Sequence, residues 1–308
     1  VNNRPYTKLT QVGKGGSARV FKVLASNSRI FALKRVSFEK ADQATIDGYV
    51  NEVKLLQRLA GNTRIIRLWD AEINSSRGHL ILLMEYGEID LAHMLFNQRE
   101  QDFDIHFIGT YWRQMLEAVQ VIHGEKIVHS DLKPANFLLV EGSLKLIDFG
   151  IANAIANDTT NIHREGQLGT ANYMSPEAIA ANPAGGQCRK LGKASDVWSL
   201  GCILYQMVYG KTPFSDIINV FQKLTVISSP EHRIEFPATI LSPLQLKQPT
   251  PAAPADSTPT KVQITIAVDP QLIRLMKGCL AREPKDRLTI PEMLQDGFLH
   301  PYPVYPAN

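Results

Sequence analysis

The spacing of apolar residues predicts that the first part of the chain is rich in β-strands. Three runs, at 6–12, 20–25 and 29–38, are separated by Gly-rich and Ser/Asn-rich turns, a pattern typical of consecutive hairpins. One helix is predicted between the third run and the next strand, at about 45–59, where apolar side chains recur every three or four residues. Residues 1–87 are therefore expected to form a small, strand-rich lobe.

From about residue 90 the pattern becomes mainly helical. Apolar spacing predicts a long helix that ends at Gly124, a residue type suited to a C-cap, and further helices near 195–209, 269–280 and 289–296. Two short apolar runs on either side of Glu141-Gly142 are typical of a hairpin. Residues 88–308 are expected to form a larger helical lobe, so the fold class is α+β with two lobes that meet near 86–90.

One segment of the larger lobe departs from this pattern. Residues 237–262 are rich in Pro, Ala, Ser and Thr, the composition of an extended or disordered surface insert rather than of packed structure. The insert is expected to be a tolerated loop, and its sequence indicates no function.

Composition and charge exclude several classes of function. The 308 residues include 33 Lys or Arg and 30 Asp or Glu, a net charge of +3, which is too weak a bias to indicate binding of nucleic acid or of an anionic membrane. Three cysteines without paired spacing predict neither a disulfide framework nor a zinc site and favour a reducing compartment. No apolar run approaches the roughly 20 residues that a bilayer requires. A soluble chain is expected, and the missing initiator Met suggests a fragment of a longer protein.

A Gly-rich segment lies between the first two predicted strands. Gly13 and Gly15 would let the backbone approach a ligand closely and offer N–H groups to a phosphate, although a flexible hairpin turn has the same composition. The segment is neither a Walker A loop nor a dinucleotide-binding turn, because its spacing differs from the first and a strand follows it.

The third strand and the following helix carry a candidate ion pair. Ala32 and Lys34 share one face of the strand, so a small residue can face a planar base while an ammonium group reaches phosphates. Glu52 lies at the margin of the apolar stripe of the helix, where a charge is costly unless it is paired. The pattern is consistent with a Lys34–Glu52 pair or with an ordinary surface-facing Glu.

The most informative segment runs from His129 to Asn136. Asp131 and Asn136 lie in this segment, and Asp148 follows seventeen residues after Asp131, across the predicted hairpin. These oxygen-bearing side chains suit a magnesium ion and the acceptance of a hydroxyl proton. If these residues only capped strands, nothing would require Asp131, Asn136 and Asp148 to follow the Gly-rich segment and Lys34 in this order.

These motifs together resemble a eukaryotic protein kinase domain over roughly residues 6–302. Further matching motifs follow in the family's order: Asp148-Phe149-Gly150, Ser175-Pro176-Glu177, Asp196-Val197-Trp198-Ser199-Leu200-Gly201 and Arg287. The resemblance implies phosphoryl transfer from ATP, with Mg²⁺, to a protein hydroxyl.

The resemblance also implies a role for each matching residue. Those implied in nucleotide binding are Gly13, Gly15, Val20, Ala32, Lys34, Met84, Glu85, Gly87, Asp90, Asn136 and Asp148. Within this set Met84 would be the gatekeeper, residues 85–87 the hinge and Asp90 a ribose contact, while Asn136 and Asp148 would hold Mg²⁺.

Four residues are implied in catalysis. Asp131 would be the catalytic base, and Lys133, which matches the Ser/Thr branch of the family, would support the γ-phosphate. Lys34 would hold the α- and β-phosphates while it pairs with Glu52. A catalytically inactive scaffold would have no chemical need for Lys34, Asp131, Asn136 and Asp148 together, although such a nucleotide-binding pseudokinase remains the alternative from another class.

Several less common stretches narrow the resemblance to the monopolar-spindle checkpoint kinases, the TTK family. They are residues 13–17, 84–91, 130 with 135–137, and 169–177. This resemblance implies a dual-specificity enzyme, acting mainly on Ser/Thr, that phosphorylates itself and kinetochore scaffold proteins in the spindle assembly checkpoint. It implies location in the nucleus, at kinetochores and on the spindle, although a Ser/Thr kinase of another pathway would carry the same motifs. From the charge balance, neither a nucleic-acid nor a membrane partner is expected.

The sequence differs from the general kinase pattern at two positions and suggests three regulatory sites. Ala18 replaces the usual third glycine of the loop, and Ser130 replaces the Arg that commonly precedes the catalytic Asp. A cationic pocket for a phosphorylated loop would thus lack one charge, which argues against a strictly Arg-dependent switch. Thr159 and Thr160 lie where relatives carry activating phosphates, and with Thr170 of the same segment they are candidate autophosphorylation sites, although polar loop residues are often simply solvated.

Overall fold

The computed structural model describes residues 1–15, 18–38, 43–74, 78–99, 101, 103–148, 171–180, 191–242 and 264–300, with the side chains of 44 and 45 left out. Ten strands lie in these ranges. They are β1 (Tyr6–Lys14), β2 (Ala18–Ala25), β3 (Ile30–Ser37), β4 (Leu68–Asn74), β5 (His79–Glu85), β6 (Ile89–Asp90), β7 (Phe137–Val140), β8 (Ser143–Leu146), β9 (Thr239–Leu241) and β10 (Thr265–Ala267).

Eight α-helices lie in the same ranges. They are α1 (Gln43–Arg58), α2 (Leu91–Gln98), α3 (Ile105–Gly124), α4 (Pro176–Ala180), α5 (Lys193–Tyr209), α6 (Val220–Ser228), α7 (Pro270–Cys279) and α8 (Ile290–Leu294). Single 3₁₀ turns occur at 134–136, 171–173, 284–286 and 297–299. None of the described helices is both long enough and apolar enough to cross a bilayer.

The strand-rich part is a five-stranded antiparallel sheet in the order β1-β2-β3-β5-β4. Its central strand, β3, pairs Lys34 with Val20 of β2 and with Leu82 of β5. Lys34 shares one face of β3 with Ala32 and Val36, because alternate side chains of a strand point to the same face. Val36, with no exposed surface, anchors this face in the core beside Lys34.

A second, three-stranded sheet in the order β6-β7-β8 begins the helical part. Strands β7 and β8 form the hairpin predicted around Glu141-Gly142, and both turn residues adopt positive φ, 50° and 76°. Such a turn matches the twist of the strands that it joins. The hairpin places Asn136 just before β7 and Asp148 two residues after β8.

One core connects the two parts. Its largest fully buried side chains include Trp112 of α3, Trp198 of α5 and Phe137 of β7. Helix α5 is buried along most of its length and packs against α3 and α7. The functional loops therefore rest on a rigid helical base. The bilobal α+β architecture predicted from the sequence is confirmed.

Two details of the sequence-based prediction were wrong. Gly124 is the last residue of α3 and not its cap; the cap is Glu125, and the residue with left-handed backbone is Lys126, at φ 62°. The first residues of the Pro-rich insert are packed, because Thr239–Leu241 forms β9 and pairs with β10, which follows the insert. Residues 243–262 lie outside the described part of the chain.

Candidate active site

Three charged side chains meet where the sheet faces the helical part. The ammonium Nζ of Lys34 lies 3.9 Å from Glu52 Oε1 and 3.8 Å from Asp148 Oδ2. Glu52 comes from α1, which packs beside the sheet, and its side chain is only 4% exposed. The structure thus brings together β3, α1 and the segment after β8, and Glu52 is not the surface-facing residue that the sequence left open.

Two carboxylates sharing one ammonium shift each other's protonation. Burial raises the pKa of Glu52 to about 7, and the attraction of Lys34 offsets only part of that rise. Burial would lower the pKa of Lys34, but the carboxylates of Asp148 and Glu52 outweigh it and raise that pKa to about 12. A proton on Glu52 would leave Lys34 facing one carboxylate in place of two, with Asp148 Oδ2 3.8 Å away.

Within the described residues, the carboxylate of Asp131 has one oxygen that is hydrogen-bonded and one that is not. Lys133 Nζ donates to its Oδ2 at 2.9 Å, while Oδ1 is buried and has no hydrogen-bond partner among the residues that the structure describes. A buried acceptor without a donor is uncommon and calls for an explanation such as a catalytic role. The hydroxyl of a bound substrate would supply the missing donor.

The loop that carries Asp131 is held by a buried carboxylate below it. Asp196 of α5, with no exposed surface, accepts hydrogen bonds from the backbone N–H of His129 and of Ser130, both at 2.9 Å, and contacts His123 Nε2 at 2.7 Å. These bonds hold Ser130 at φ 62°, a conformation that non-glycine residues rarely adopt. The residue that replaces the usual Arg is therefore fixed through its backbone.

Asn136 and Asp148 are adjacent because of one backbone hydrogen bond. Ile147 donates its N–H to the Asn136 carbonyl at 2.9 Å, so the next residue, Asp148, lies beside Asn136. The described residues contain no cluster of three or more acidic, His or Cys side chains that could cage a metal. Mg²⁺ is usually held by one or two carboxylates together with substrate phosphates and water, so this pair fits Mg²⁺ better than a metal that needs a full protein cage.

Small and apolar side chains of three neighbouring strands lie near Lys34. Ala32 of β3 and Met84 of β5 are cross-strand partners, and both are buried. Val20 of β2 is half-buried and pairs with Lys34. A flat apolar ring fits beside a methyl group better than beside a larger side chain, which supports the predicted adenine contact.

The glycines of the loop are not required by its own fold. Gly15 donates its N–H to the Ala18 carbonyl at 2.9 Å across the turn, yet a Cβ at Gly15 would meet only that carbonyl, at 4.0 Å. A Cβ at Gly13 would be in ordinary contact with Val20, at 3.4 Å. Neither position has a positive φ or a backbone clash with the described residues, which is compatible with the predicted close approach of a ligand.

The hinge segment packs tightly on β7. A Cβ at Gly87 would lie 2.5 Å from Leu138 Cγ and 2.6 Å from the Leu139 carbonyl oxygen, so only glycine fits there. The Glu88 N–H donates to the same carbonyl at 2.9 Å. The carboxylate of Glu85 turns away from this contact and accepts hydrogen bonds from Lys145.

Asp90 has a structural role as well as its predicted one. It is the N-cap of α2: one carboxylate oxygen accepts the His93 N–H at 2.9 Å, and the other contacts His93 Nδ1 at 2.7 Å. Both oxygens are thus engaged by His93, and a ribose would have to share or displace one of these contacts. The ribose contact stays a prediction.

A cavity of about 370 Å³ opens beside the catalytic loop, and its lining includes Lys133, Asn172, Tyr173 and Gln206. The Tyr173 hydroxyl donates to Gln206 at 2.6 Å, and the ammonium of Lys223, from α6, donates to Asn172 at 2.5 Å. Because Lys133 also donates to Asp131 Oδ2, this cavity lies next to the residue that is bonded to the Asp131 carboxylate.

Several residues that organise the site were not assigned these roles from the sequence. Asp196 and Arg287 belong to recognised motifs, but their partners lie far away in the sequence. For Asp196, the local sequence showed only that an acidic residue lies inside an otherwise apolar helix. For Lys145, the local sequence gave no indication of its partner. Thr159, Thr160 and Thr170 lie outside the described residues.

Comparison with known proteins identifies the class. The model of the protein kinase domain family matches residues 6–299, so the chain belongs to that family. Within the class, it is 50% identical to the serine/threonine-protein kinase mph1 of Schizosaccharomyces pombe over 99% of its length and 44% of that protein. It is 44% identical to the dual specificity protein kinase TTK of Mus musculus over 98% of its length and 32% of that protein. It is 42% identical to the serine/threonine-protein kinase MPS1 of Saccharomyces cerevisiae over 98% of its length and 37% of that protein.

The resemblance to the TTK family stated from the sequence is thus confirmed. The chain spans less than half the length of each of these relatives.

Proposed function

We propose that the chain is the catalytic domain of a protein kinase that transfers the γ-phosphoryl group of ATP to Ser and Thr hydroxyls of proteins, and also to Tyr. The observation that carries this proposal is the pairing of Lys34 with both Glu52 and Asp148 next to a loop whose Asp131 has one available carboxylate oxygen. Positioning and charge neutralisation are what phosphoryl transfer requires of a protein.

In this proposal the nucleotide lies between residues 1–87 and 88–308. The adenine lies against the side chains of Ala32 and Met84, beside the hinge at 85–87, and the glycine loop covers the phosphates through its N–H groups. Lys34 neutralises charge on the phosphates while Glu52 fixes its direction. Asn136 and Asp148 would hold a Mg²⁺ ion, which would supply positive charge to the transferring group.

Asp131 acts on the acceptor. Its Oδ1 accepts the proton of the substrate hydroxyl as that oxygen becomes a nucleophile, while Oδ2 stays bound to Lys133, 2.9 Å away. The ammonium of Lys133 is thereby held beside the reacting oxygen, where negative charge develops. The cavity next to Lys133 receives the protein segment that carries the hydroxyl.

The pathway follows from the relatives rather than from the site. High identity to the Mps1 and TTK kinases over nearly the whole chain supports a spindle assembly checkpoint kinase that acts on kinetochore proteins and on itself, in the nucleus and on the spindle. Thr159, Thr160 and Thr170 are the proposed autophosphorylation sites. Peptide mapping after incubation with MgATP tests this: no phosphate on 149–177 would contradict it.

The transfer itself is tested by following phosphate incorporation from labelled MgATP into the chain and into a generic Ser/Thr substrate. Asp131→Asn should lower the rate on the order of 10² to 10⁴-fold, the range for loss of a positioned base. Asp286→Asn, an exposed substitution in the 284–286 turn, is the matched control and should leave the rate unchanged. Near-native activity of Asp131→Asn would refute the assigned base, and nucleotide binding without transfer in the unsubstituted chain would favour a pseudokinase scaffold.

A further inference from the structure

The carboxylate of Glu85, at the start of the hinge, is held by three hydrogen bonds. Lys145 Nζ donates to both of its oxygens at 2.8 Å, and the backbone N–H of Arg67 donates to Oε1 at 2.7 Å. The Glu85 N–H in turn donates to the Arg67 carbonyl at 3.0 Å. Glu85 is therefore fixed to the start of β4 by a reciprocal pair of bonds and to β8 by an ion pair.

Burial makes this contact stronger than an ordinary surface ion pair. The side chains of Lys145 and Glu85 are only 16% and 17% exposed. Exposed ion pairs contribute little because water and salt screen them and both side chains lose freedom. A half-buried ammonium that bridges both oxygens of a carboxylate is screened less, and the Arg67 N–H provides a further bond.

Strand β8 connects this contact to the chemistry. Lys145 lies three residues before Asp148, and the intervening backbone is tied on both sides. Leu146 exchanges backbone hydrogen bonds with residues 64 and 66, both at 2.9 Å, and Ile147 donates to the Asn136 carbonyl. A displacement of Lys145 relative to Glu85 would thus change the position of the hinge, residues 85–87, relative to Asn136 and Asp148.

We propose that Lys145 is a positioning residue that, through Glu85, holds the hinge in register with the strand leading to Asp148, so that the nucleotide meets a preformed site. This inference rests on the proposed function, because it takes 85–87 as the adenine-facing segment. The Lys145–Glu85 contact is present in a structure in which Lys34 also lies close to Glu52, the arrangement that the proposed function requires. The contact therefore belongs to a catalytically competent arrangement. Breaking it is expected to weaken nucleotide binding and not to activate the enzyme.

The test measures nucleotide affinity directly and not only turnover. Lys145→Met removes the ammonium while keeping a long side chain, and it should raise the Kd for MgADP by about threefold to tenfold in titration calorimetry. The KM for ATP should rise by the same factor while kcat changes less than twofold, because the residue touches neither substrate. Lys145→Arg keeps the bidentate pair and should restore the Kd to within twofold of the unsubstituted chain. Lys285→Met, an exposed substitution in the 284–286 turn, is the matched control.

A second variant guards against a folding defect. Glu85→Gln preserves shape and an acceptor for the Arg67 N–H but removes the charge that Lys145 binds, and it should raise the Kd similarly. The double variant should be no weaker than either single one, because the two residues act as a unit.

An unchanged Kd in Lys145→Met, additive effects in the double variant, or a raised kcat at constant Kd would overturn the inference. An unsubstituted chain that binds MgADP without transferring phosphate would refute the proposed function but leave this comparison valid.

Discussion

The buried guanidinium of Arg287 allows a direct test of whether a single ion pair holds several elements of the helical part together. Its side chain has no exposed surface, and it donates to both oxygens of Glu177, at 2.6 and 2.8 Å. It also donates to three backbone carbonyls, those of residues 281, 194 and 282, at 2.8, 2.7 and 3.0 Å. One side chain thus joins α4 to the start of α5 and to the 3₁₀ turn at 284–286.

The size of the effect follows from what a substitution would leave behind. Arg287→Met leaves the partly buried carboxylate of Glu177 without its cation and three carbonyls without a donor. Removing one partner of a buried ion pair typically destabilises by about 3–5 kcal/mol. Arg287→Lys keeps the charge, but an ammonium has three donors for the five bonds, so we expect an intermediate loss of about 1–3 kcal/mol.

Equilibrium urea unfolding measures these losses. Trp198 is buried, and its ring lies 5.0 Å from the guanidinium carbon, so its fluorescence reports on this region. Arg274→Met is the control, because Arg274 pairs with Asp296 at 2.5 Å but is more than half exposed, and its loss should cost about 1 kcal/mol or less. The reasoning is refuted if the free energy of unfolding of Arg287→Met lies within about 1 kcal/mol of that of the unsubstituted chain and its dependence on urea concentration is unchanged. The buried pair would then not hold these elements together.

Three further outcomes are expected. Because the pKa of Glu52 is about 7, the Lys34 pair is lost as pH falls below that value, so kcat/KM should decline there; a Glu52→Gln variant with the same acid limb would contradict this. Gly87→Ala would place a Cβ 2.6 Å from the Leu139 carbonyl and should destabilise by about 1–3 kcal/mol and weaken MgADP binding, and unchanged values in both assays would disprove the close packing. Gly201→Ala would bring a Cβ 2.6 Å from Cys279 Cβ and should lower the unfolding midpoint without changing the Kd for MgADP; an unaltered midpoint would show that α5 and α7 can separate freely.

The sequence predicted those parts of the fold that depend on local periodicity. Helix α1, predicted at 45–59 and found at Gln43–Arg58, has a regular apolar stripe, and the hairpin of β7 and β8 has the turn residues that its geometry demands. Helices α2 and α6 were not predicted. Each has exposed apolar residues, such as Phe96 and Phe221, that blur the stripe. Strand β9 was obscured by the composition of the insert around it.

The candidate site divides in the same way. Lys34, Asp131 and Asp148 were predicted as site residues because their spacing forms a recognisable motif. The contacts that hold them were not found, since Asp196 binds the catalytic loop across more than sixty residues and Lys145 meets Glu85 across 60. Sequence patterns report what one element buries, whereas these contacts depend on how separate elements pack.

The charge balance of the cluster links the protonation of Glu52 to what is bound beside it. With Glu52 ionised, two carboxylates face one ammonium and the group carries one net negative charge. Burial and the charge of Asp148 both raise the pKa of Glu52. A cation at Asp148 would draw that carboxylate's charge away from Glu52 and lower its pKa, so the Lys34–Glu52 pair would become fully ionic once the nucleotide and its metal are bound. The acid limb of kcat, which reports the complex, should therefore lie below that of kcat/KM, which reports the free chain. Burial of Glu52 would then serve to make the ion pair strongest only when the substrate is present.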